Sequence, residues 1–206
     1  WTYSKYMEAT AYLNETDLRP EKVVSPNDFT HRVVLSGLYE MPFGRGRTFF
    51  PNAGGIVQGI FGGWQFQGMY EGQTGQALGF GNAIFNGDLH DIELPLGERR
   101  AERWFNTDAG FERDNTKNLG SNIQRFSSRF NGVRRDGINN FDLSMIKNFR
   151  IRERVKAQFQ FETFNALNHI QFDNPNTGPA NSAFGTVTGE NGHGQRQITL
   201  GFKLLF

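Results

Sequence analysis

Four arginines near the middle of the chain are the side chains best suited to hold an anion. They are Arg125, Arg129, Arg134 and Arg135. A guanidinium group binds carboxylate or phosphate oxygens through two parallel hydrogen bonds, and Phe126 and Phe130 lie among these arginines. The four are therefore candidate contacts for an anionic ligand or a lipopolysaccharide phosphate. The commoner role of such arginines is to face solvent or to pair with a nearby acid such as Asp136.

A second group places carboxylate and imidazole side chains close together along the chain. It consists of Asp88, His90, Asp91 and Glu93. Calcium and transition metals bind such ligands. The spacing matches no metal-binding loop, so a polar external loop is the better interpretation and no metal site is expected.

Gly44-Arg45-Gly46-Arg47 is similar to a glycine-rich phosphate loop. It lacks the third glycine and the strand–helix context that the phosphate fingerprint requires. Because Pro42 stops a strand and the glycines permit positive φ, the stretch predicts a turn instead.

No arrangement of side chains for covalent catalysis stands out. The absence of cysteine excludes disulfides, thiolate metal sites and cysteine nucleophiles. The serines are scattered without a nucleophile elbow, and nothing singles out a carboxylate pair. The histidines are scattered too: His31, His90, His169 and His193. We expect no enzymatic activity and no cofactor.

The composition favours a β protein with many turns. The chain has 21 Phe and 25 Gly, and its 22 Lys+Arg nearly balance 21 Asp+Glu. A balanced charge argues against nucleic-acid binding, which needs a basic surplus. The mean hydropathy of −0.56 is too polar for helical membrane spans, which need roughly 20 consecutive apolar residues. Strands of a membrane barrel escape that requirement because half of their residues face a polar lumen.

Six segments alternate between apolar and polar residues at every second position, the pattern of strands with two different faces. They are 1–8, 30–41, 64–74, 139–149, 154–164 and 197–206, of which the first is the weakest. A short helix is predicted for Ile56 to Phe61, between the second and third segments.

The last segment has the most informative pattern. One face carries Ile198, Leu200, Phe202, Leu204 and Phe206. The other carries Gln197, Thr199, Gly201 and Lys203, with Leu205 as the exception. A strand that faces lipid on one side and a polar lumen on the other needs this pattern.

The connections between the segments alternate in length. The long ones are 9–29, 75–138 and 168–194, and the shorter ones are 42–63 and 150–153. Outer-membrane barrels have short periplasmic turns and longer external loops. With the C-terminus in the periplasm, the three long connections are external, and 42–63 is longer than a periplasmic turn should be. Trp1, Tyr3, Tyr39, Trp64 and Tyr70 are candidates for an aromatic girdle at the membrane interface.

These patterns predict an all-β fold, an antiparallel transmembrane β-barrel fragment of about six strands with long external loops, located in the outer membrane. Single-chain membrane barrels begin at about 8 strands. We therefore expect the rest of the wall in a preceding segment, and this chain to end at the natural C-terminus.

Several stretches carry a family resemblance: Phe29–Gly37, Tyr39–Gly46, Gly62–Gly68, Gly137–Ser144, Phe161–His169 and the terminal strand. Together they resemble the C-terminal barrel of TonB-dependent outer-membrane receptors, most closely the Oar-like subgroup, which often has a carboxypeptidase-regulatory-like domain. The resemblance implies a barrel of about 22 strands around a plug. It also implies import of a scarce ligand, driven through TonB by the proton gradient.

The resemblance implies partners as well. Residues 1–206 correspond to the C-terminal part of the barrel, so the plug and the contact with TonB are expected outside them. The ladder from Ile198 to Phe206 looks like the signal that the barrel-assembly machinery recognises, although a plain lipid-facing strand has the same pattern. The remaining expected partners are outer-membrane lipid and an unknown small ligand, without nucleic acid.

Two other functions fit parts of the pattern. A soluble β-sandwich that binds carbohydrate would use Trp64, Tyr70 or Trp104 as stacking platforms. A secreted β-rich hydrolase would need a catalytic carboxylate, and the sequence nominates none. The apolar ladder that ends at Phe206 argues against both.

Overall fold

The computed structural model describes residues 1–118, 120–152, 155–191 and 194–206. It divides the chain into two compact units, each built from three stretches. The first unit comprises Trp1–Arg32, Gly72–Ile138 and Ile170–His193, and the second Val33–Glu71, Asn139–His169 and Gly194–Phe206. Three residues named above lie outside the described residues: Glu153, Arg154 and His193.

Strands are the main secondary structure of the described residues. In chain order they are β1 (Thr2–Tyr3), β2 (Met7–Glu8), β3 (Val23–Val24), β4 (His31–Glu40), β5 (Trp64–Gln73), β6 (Ala77–Leu78), β7 (Phe130–Arg134), β8 (Ile138–Arg150), β9 (Lys156–Phe164) and β10 (Gln197–Leu205). The helix α1 spans Gly55–Phe61, and single 3-10 turns span Leu89–Ile92, Leu96–Glu98 and Asn115–Lys117. None of the helices among the described residues has the length and apolar character needed to cross a membrane.

The second unit is built mainly from long strands in the order β4-β5-β8-β9-β10, which belong to a six-stranded sheet whose first strand is the short β1. Six strands in one sheet agree with the number predicted from the sequence. The last three strands are antiparallel neighbours, with Met145 and Leu200 both opposite Phe161. β9 ends at Phe164 because Asn165 adopts a positive φ of 49°, a conformation that Asn tolerates better than most residues.

The buried side chain of Asn165 fixes the chain beyond that strand end. Its Nδ2 donates to the backbone oxygens of His169 and Gly194, both at 2.8 Å, and its Oδ1 accepts from the His169 N–H at 2.9 Å. Its backbone N–H donates to Asp142 Oδ1 at 2.9 Å. Asn165 thus joins the end of β9 to His169 and Gly194 through its side chain and to Asp142 through its backbone.

The first unit has short strands and a separate aromatic core. β2 pairs with β3, and β6 with β7. Its buried cluster consists of Phe80, Ala83, Ile92, Trp104, Phe105, Phe111, Phe126, Val133, Phe184 and Val187. The ring of Phe80 lies 4.8 Å from Phe111 and 5.1 Å, edge-on, from Phe105, distances at which aromatic pairs attract beyond their area burial.

Five of the six predicted strands are confirmed to within about two residues at their described ends, as is the short helix. The prediction of one strand over 1–8 is wrong. β1 and β2 are separate because Ser4 N–H donates to the Thr30 oxygen, and Tyr6 N–H donates to Asp28 Oδ1 at 2.7 Å. These bonds redirect the backbone after the short pairing of Tyr3 with His31.

The three segments predicted as external loops contribute most of the first unit. They contain short strands, 3-10 turns and the aromatic core, so they are not simple polar loops. The sequence analysis missed this core because its phenylalanines follow no helical or strand period.

Candidate functional site

The strand register gives the sheet of the second unit one apolar and one polar face. Along β8, β9 and β10, Met145, Phe161 and Leu200 form one row, and Ser144, Glu162 and Thr199 form the adjacent row. Side chains alternate between faces along a strand, so these rows lie on opposite sides of the sheet. The two faces agree with the alternation predicted from the sequence.

The apolar face is open to its surroundings. Leu200 is 66% exposed and Phe202 68%, and Leu35 and Tyr39 are also exposed. Large contiguous apolar surfaces of this kind mark interaction sites or lipid contact. Phe206 follows the last residue of β10 and is fully exposed.

The polar face carries a groove of about 520 Å³. Its polar lining includes Gln67, Asp142 and Glu162. Asp142 accepts hydrogen bonds from Asn140 Nδ2 and from the Asn165 backbone, both at 2.9 Å. The groove is thus lined by these polar side chains together with apolar ones such as Met69 and Leu143.

One cation interrupts the apolar face. Lys147 lies opposite Phe159 in the register and is only 2% exposed. Its Nζ donates to the backbone oxygens of Ile60 and Gly62 and lies 4.8 Å from the ring centre of Trp64. The charge thus meets the carbonyls at the end of α1, where a cation is favourable.

Two of the four candidate arginines form ion pairs inside the first unit. Arg129 Nη1 lies 2.6 Å from Glu8 Oε1, and Arg134 Nη2 lies 2.7 Å from Asp28 Oδ2. The alternative of pairing with acids therefore holds for both, although neither partner is Asp136, which instead accepts hydrogen bonds from the Gly137 and Phe172 N–H groups.

The surroundings of Asp28 and Glu8 favour the ionised form of both carboxyl groups. Burial of Asp28 works to raise the pKa of its carboxyl, but the hydrogen bonds from Tyr6 N–H, Arg134 and Thr30 outweigh it and lower the pKa. The pKa of Glu8 is lowered by hydrogen bonds from Ser25 and Arg129. Arg129 and Arg134 therefore hold carboxylates of the same unit.

Arg125 belongs to a different environment from these two. It lines a cavity of about 660 Å³ in the first unit, together with Lys117. The apolar lining includes Phe85, Phe126 and Phe130. Arg125 is exposed, and within the part of the chain that the structure describes it has no acidic partner.

The remaining candidate arginine, Arg135, is held through its backbone, because its N–H donates to the Gln76 oxygen at 3.0 Å. Of the four arginines, Arg125 is the one that lines the cavity, together with aromatic rings and one lysine. A ligand role for the four arginines stays a prediction, and the geometry favours Arg125 for it.

The carboxylate and imidazole group around Asp88 has a structural explanation. Asp88 caps the first 3-10 turn, accepting from the backbone N–H of His90 at 2.9 Å, and this bond comes first among the causes that lower the pKa of Asp88. Among the described residues, no cluster of three or more His, Asp or Glu side chains is arranged to bind a metal.

The girdle candidates fall into both units. In the first, the Trp1 ring stacks on His31 at 6.1 Å. In the second, Tyr39 and Tyr70 line a shallow recess on the apolar face. Trp104, a platform in the carbohydrate-binding alternative, is 7% exposed and donates its Nε1–H to the Arg134 oxygen, so it cannot stack on a sugar.

A family model described as an outer membrane beta barrel domain matches residues 1–199. The chain belongs to this outer membrane beta barrel family. The protein is therefore located in the outer membrane. No curated protein and no solved structure matches the chain.

Membership of this family argues against the two soluble alternatives, because a sandwich or a secreted hydrolase would cover the apolar face with a second layer. The sequence nominated Arg125, with Phe126 and Phe130 beside it, but not Lys147 or the remaining lining of the cavity. Lys147 had a detectable signal, since it occupies an apolar position between Met145 and Phe149. The remaining lining had none, because it comes from non-periodic positions.

Proposed function

We propose that this chain is the C-terminal part of the barrel of a TonB-dependent outer-membrane receptor, and that the first unit captures the ligand. Support comes from the resemblance of its strands to those receptors and from membership of the outer membrane beta barrel family. The observation that carries the proposal is one chain in which one compact unit is a sheet with an exposed apolar face and the other holds a cavity.

The lining of that cavity suggests the chemistry of the ligand. Phe85, Phe126 and Phe130 offer apolar surface, and Arg125 and Lys117 offer positive charge. Lys117 is partly neutralised by Glu112 at 2.9 Å, so Arg125 supplies the main available charge. A small ligand with an aromatic or apolar body and one anionic group matches this lining.

A fluorescent anion of that chemistry tests the capture site. We expect 8-anilino-1-naphthalenesulfonate to bind the full-length protein in lipid nanodiscs, after subtraction of empty discs. Arg125→Gln should weaken binding at least tenfold, the loss expected for one charged hydrogen bond. Arg100→Gln, which replaces an exposed arginine outside the cavity lining, is the control. Equal affinity in both variants would contradict the capture site.

The TonB step is tested on the full-length protein. We expect it to co-purify with TonB from detergent-solubilised membranes and to form a closed barrel in planar bilayers, because a plug fills the lumen of such receptors. An open, ion-conducting pore without TonB association would contradict the receptor proposal and would leave a simple porin-like barrel.

We also propose that the ladder of Ile198, Leu200, Phe202, Leu204 and Phe206 is the assembly signal. An exposed edge strand can pair with a strand of another protein, and Phe206 is fully exposed beyond β10. Deletion of Phe206 should lower the amount of heat-modifiable barrel in the outer membrane, whereas the variant Phe206→Tyr should assemble as well as the wild type. Unchanged assembly after the deletion would rule out a role for this residue.

A further inference from the structure

The connection between β4 and β5 has an apolar and cationic surface. Residues 42–63 contain Arg45 and Arg47 and no acidic residue. Its exposed large apolar side chains are Phe49, Phe50, Ile56, Val57, Ile60 and Phe61. Ile56 is 81% exposed and Ile60 57%. Such a surface needs a partner if it is to be shielded from water.

The helix at the centre of this connection is not held by a core. α1 has seven residues and no buried side chain, and so short a helix is marginal in water. Its polar side chain, Gln58, accepts a hydrogen bond from the Arg45 N–H. The apolar residues of α1 therefore remain free to contact something outside the second unit.

The end of α1 is attached to the apolar side of the sheet. Trp64, on that face, donates its Nε1–H to the Ile60 oxygen at 2.8 Å. Buried Lys147 donates to the oxygens of Ile60 and Gly62 from the same face. The end of α1 is thus bonded to residues of the exposed apolar face of the sheet.

We propose that α1 and the phenylalanines beside it insert into the headgroup region of the bilayer, where Arg45 binds anionic phospholipid. Apolar side chains with neighbouring basic residues are typical of segments that lie in the membrane interface, and Trp64 marks the same depth. Arg47 is engaged by Glu40 at 2.5 Å. The Arg45 guanidinium makes only a long hydrogen bond, at 3.4 Å, to the Ala53 backbone oxygen. Arg45 is therefore better placed than Arg47 to bind a lipid phosphate. This inference rests on the outer-membrane family and not on TonB.

Labelling with an environment-sensitive dye tests the insertion. The chain contains no cysteine, so Ile60→Cys in the full-length protein, freed of any cysteine elsewhere, accepts a single nitrobenzoxadiazole dye. In nanodiscs of phosphatidylethanolamine and phosphatidylglycerol, we expect lipids with a nitroxide in the headgroup to quench this dye. Leu18→Cys, at a position that is 97% exposed in the first unit, should be quenched much less.

Absence of quenching at Ile60 would overturn the proposal. So would a blue-shifted dye that nitroxide lipids cannot quench, because that result would indicate a protein partner or a second copy. The charge is tested separately: Arg45→Gln should lower the dependence of quenching on phosphatidylglycerol by up to about fivefold, as expected for one basic residue at an anionic surface. Arg47→Gln should change it less, and equal effects would contradict the role of Arg45.

Discussion

Asp28 is the residue on which the first unit depends most directly. Its carboxylate is 1% exposed and accepts hydrogen bonds from Tyr6 N–H, Thr30 Oγ1 and Arg134 Nη2. Arg134 Nη1 also donates to the backbone oxygens of Asp28 and Gly75. The pair therefore joins the N-terminal segment to the long central segment of the same unit.

Replacing Asp28 by Asn should destabilise the first unit. The amide keeps the shape but removes the charge, so Arg134 loses its ionic partner in a poorly solvated place. We expect a loss of about 2 kcal/mol, typical of a hydrogen bond to a charged group. Hydrogen exchange of the first unit's amides in the folded full-length protein measures it. Asp17→Asn, at the more exposed Asp17–Asn14 turn, is the control, and equal losses would contradict the special role of Asp28.

The same carboxylate predicts a loss of stability in acid. Because the pKa of Asp28 is lowered in the folded protein, its contribution is complete above the ordinary aspartate range, near pH 4. It is lost as the pH falls through the lowered value. Glu8 acts in the same direction. Protection of the first unit's amides, measured as exchange relative to the intrinsic rate at each pH, should fall more between pH 6 and pH 3 in the wild type than in Asp28→Asn. A parallel fall in both would show that Asp28 does not titrate in this range.

At the scale of the elements, Asn165 joins the end of β9 to the residues just before β10. Its side chain bonds to His169 and Gly194. We expect Asn165→Ala to lower the free energy of unfolding by about 2–4 kcal/mol. Buried backbone groups lose their hydrogen-bond partners, and a positive φ is less favourable for Ala than for Asn.

Asn168 offers a matched control for that substitution. It also has a positive φ, of 53°, but is exposed. Asn168→Ala should therefore introduce the same backbone strain as Asn165→Ala, but it removes none of the side-chain hydrogen bonds that Asn165 makes. The temperature at which the detergent-solubilised barrel loses its heat-modifiable form reports both variants. If the two lowered it equally, the side-chain bonds of Asn165 would be unimportant.

The long strands were predictable from the sequence, and for a clear reason. Residues such as Phe159 and Gln160 alternate because each faces a different environment, so a long strand shows its two faces as a period of two. The division of 1–8 was not predictable, since it depends on bonds from Ser4 and Tyr6 to residues more than 20 positions away. Strand pattern also could not reveal that Lys147 is bound by the carbonyls at the end of α1.

At the scale of the whole molecule, the aromatic core of the first unit is the part that local pattern could not foresee. Phe105 is fully buried and contacts the rings of Phe80 and Phe184, both at 5.1 Å. These residues are at least 25 positions apart in the sequence, and only tertiary packing joins them. The cavity around Arg125 depends on the same packing, so neither the core nor the full lining of the cavity could be derived from spacing.

Phe105→Ala should therefore loosen the first unit while the second stays folded. The expected loss is about 3–5 kcal/mol, the cost of deleting a buried phenylalanine. Limited proteolysis should cut the segments 75–138 and 170–191 faster, and the heat-modifiable barrel should persist. Phe149→Ala, at an exposed ring of β8, is the control. Simultaneous loss of the barrel would contradict the independence of the two units.

The central claim is that Ile198, Leu200, Phe202 and Leu204 face lipid and that Thr199, Gly201 and Lys203 face the lumen. Nitroxide labels at single cysteines along β10, in the full-length protein in nanodiscs, test it most directly. We expect access to oxygen to alternate with period two, high at the even positions, and access to a water-soluble nickel complex to alternate in the opposite sense. Uniform access of the nickel complex along the strand would contradict a lipid-facing wall.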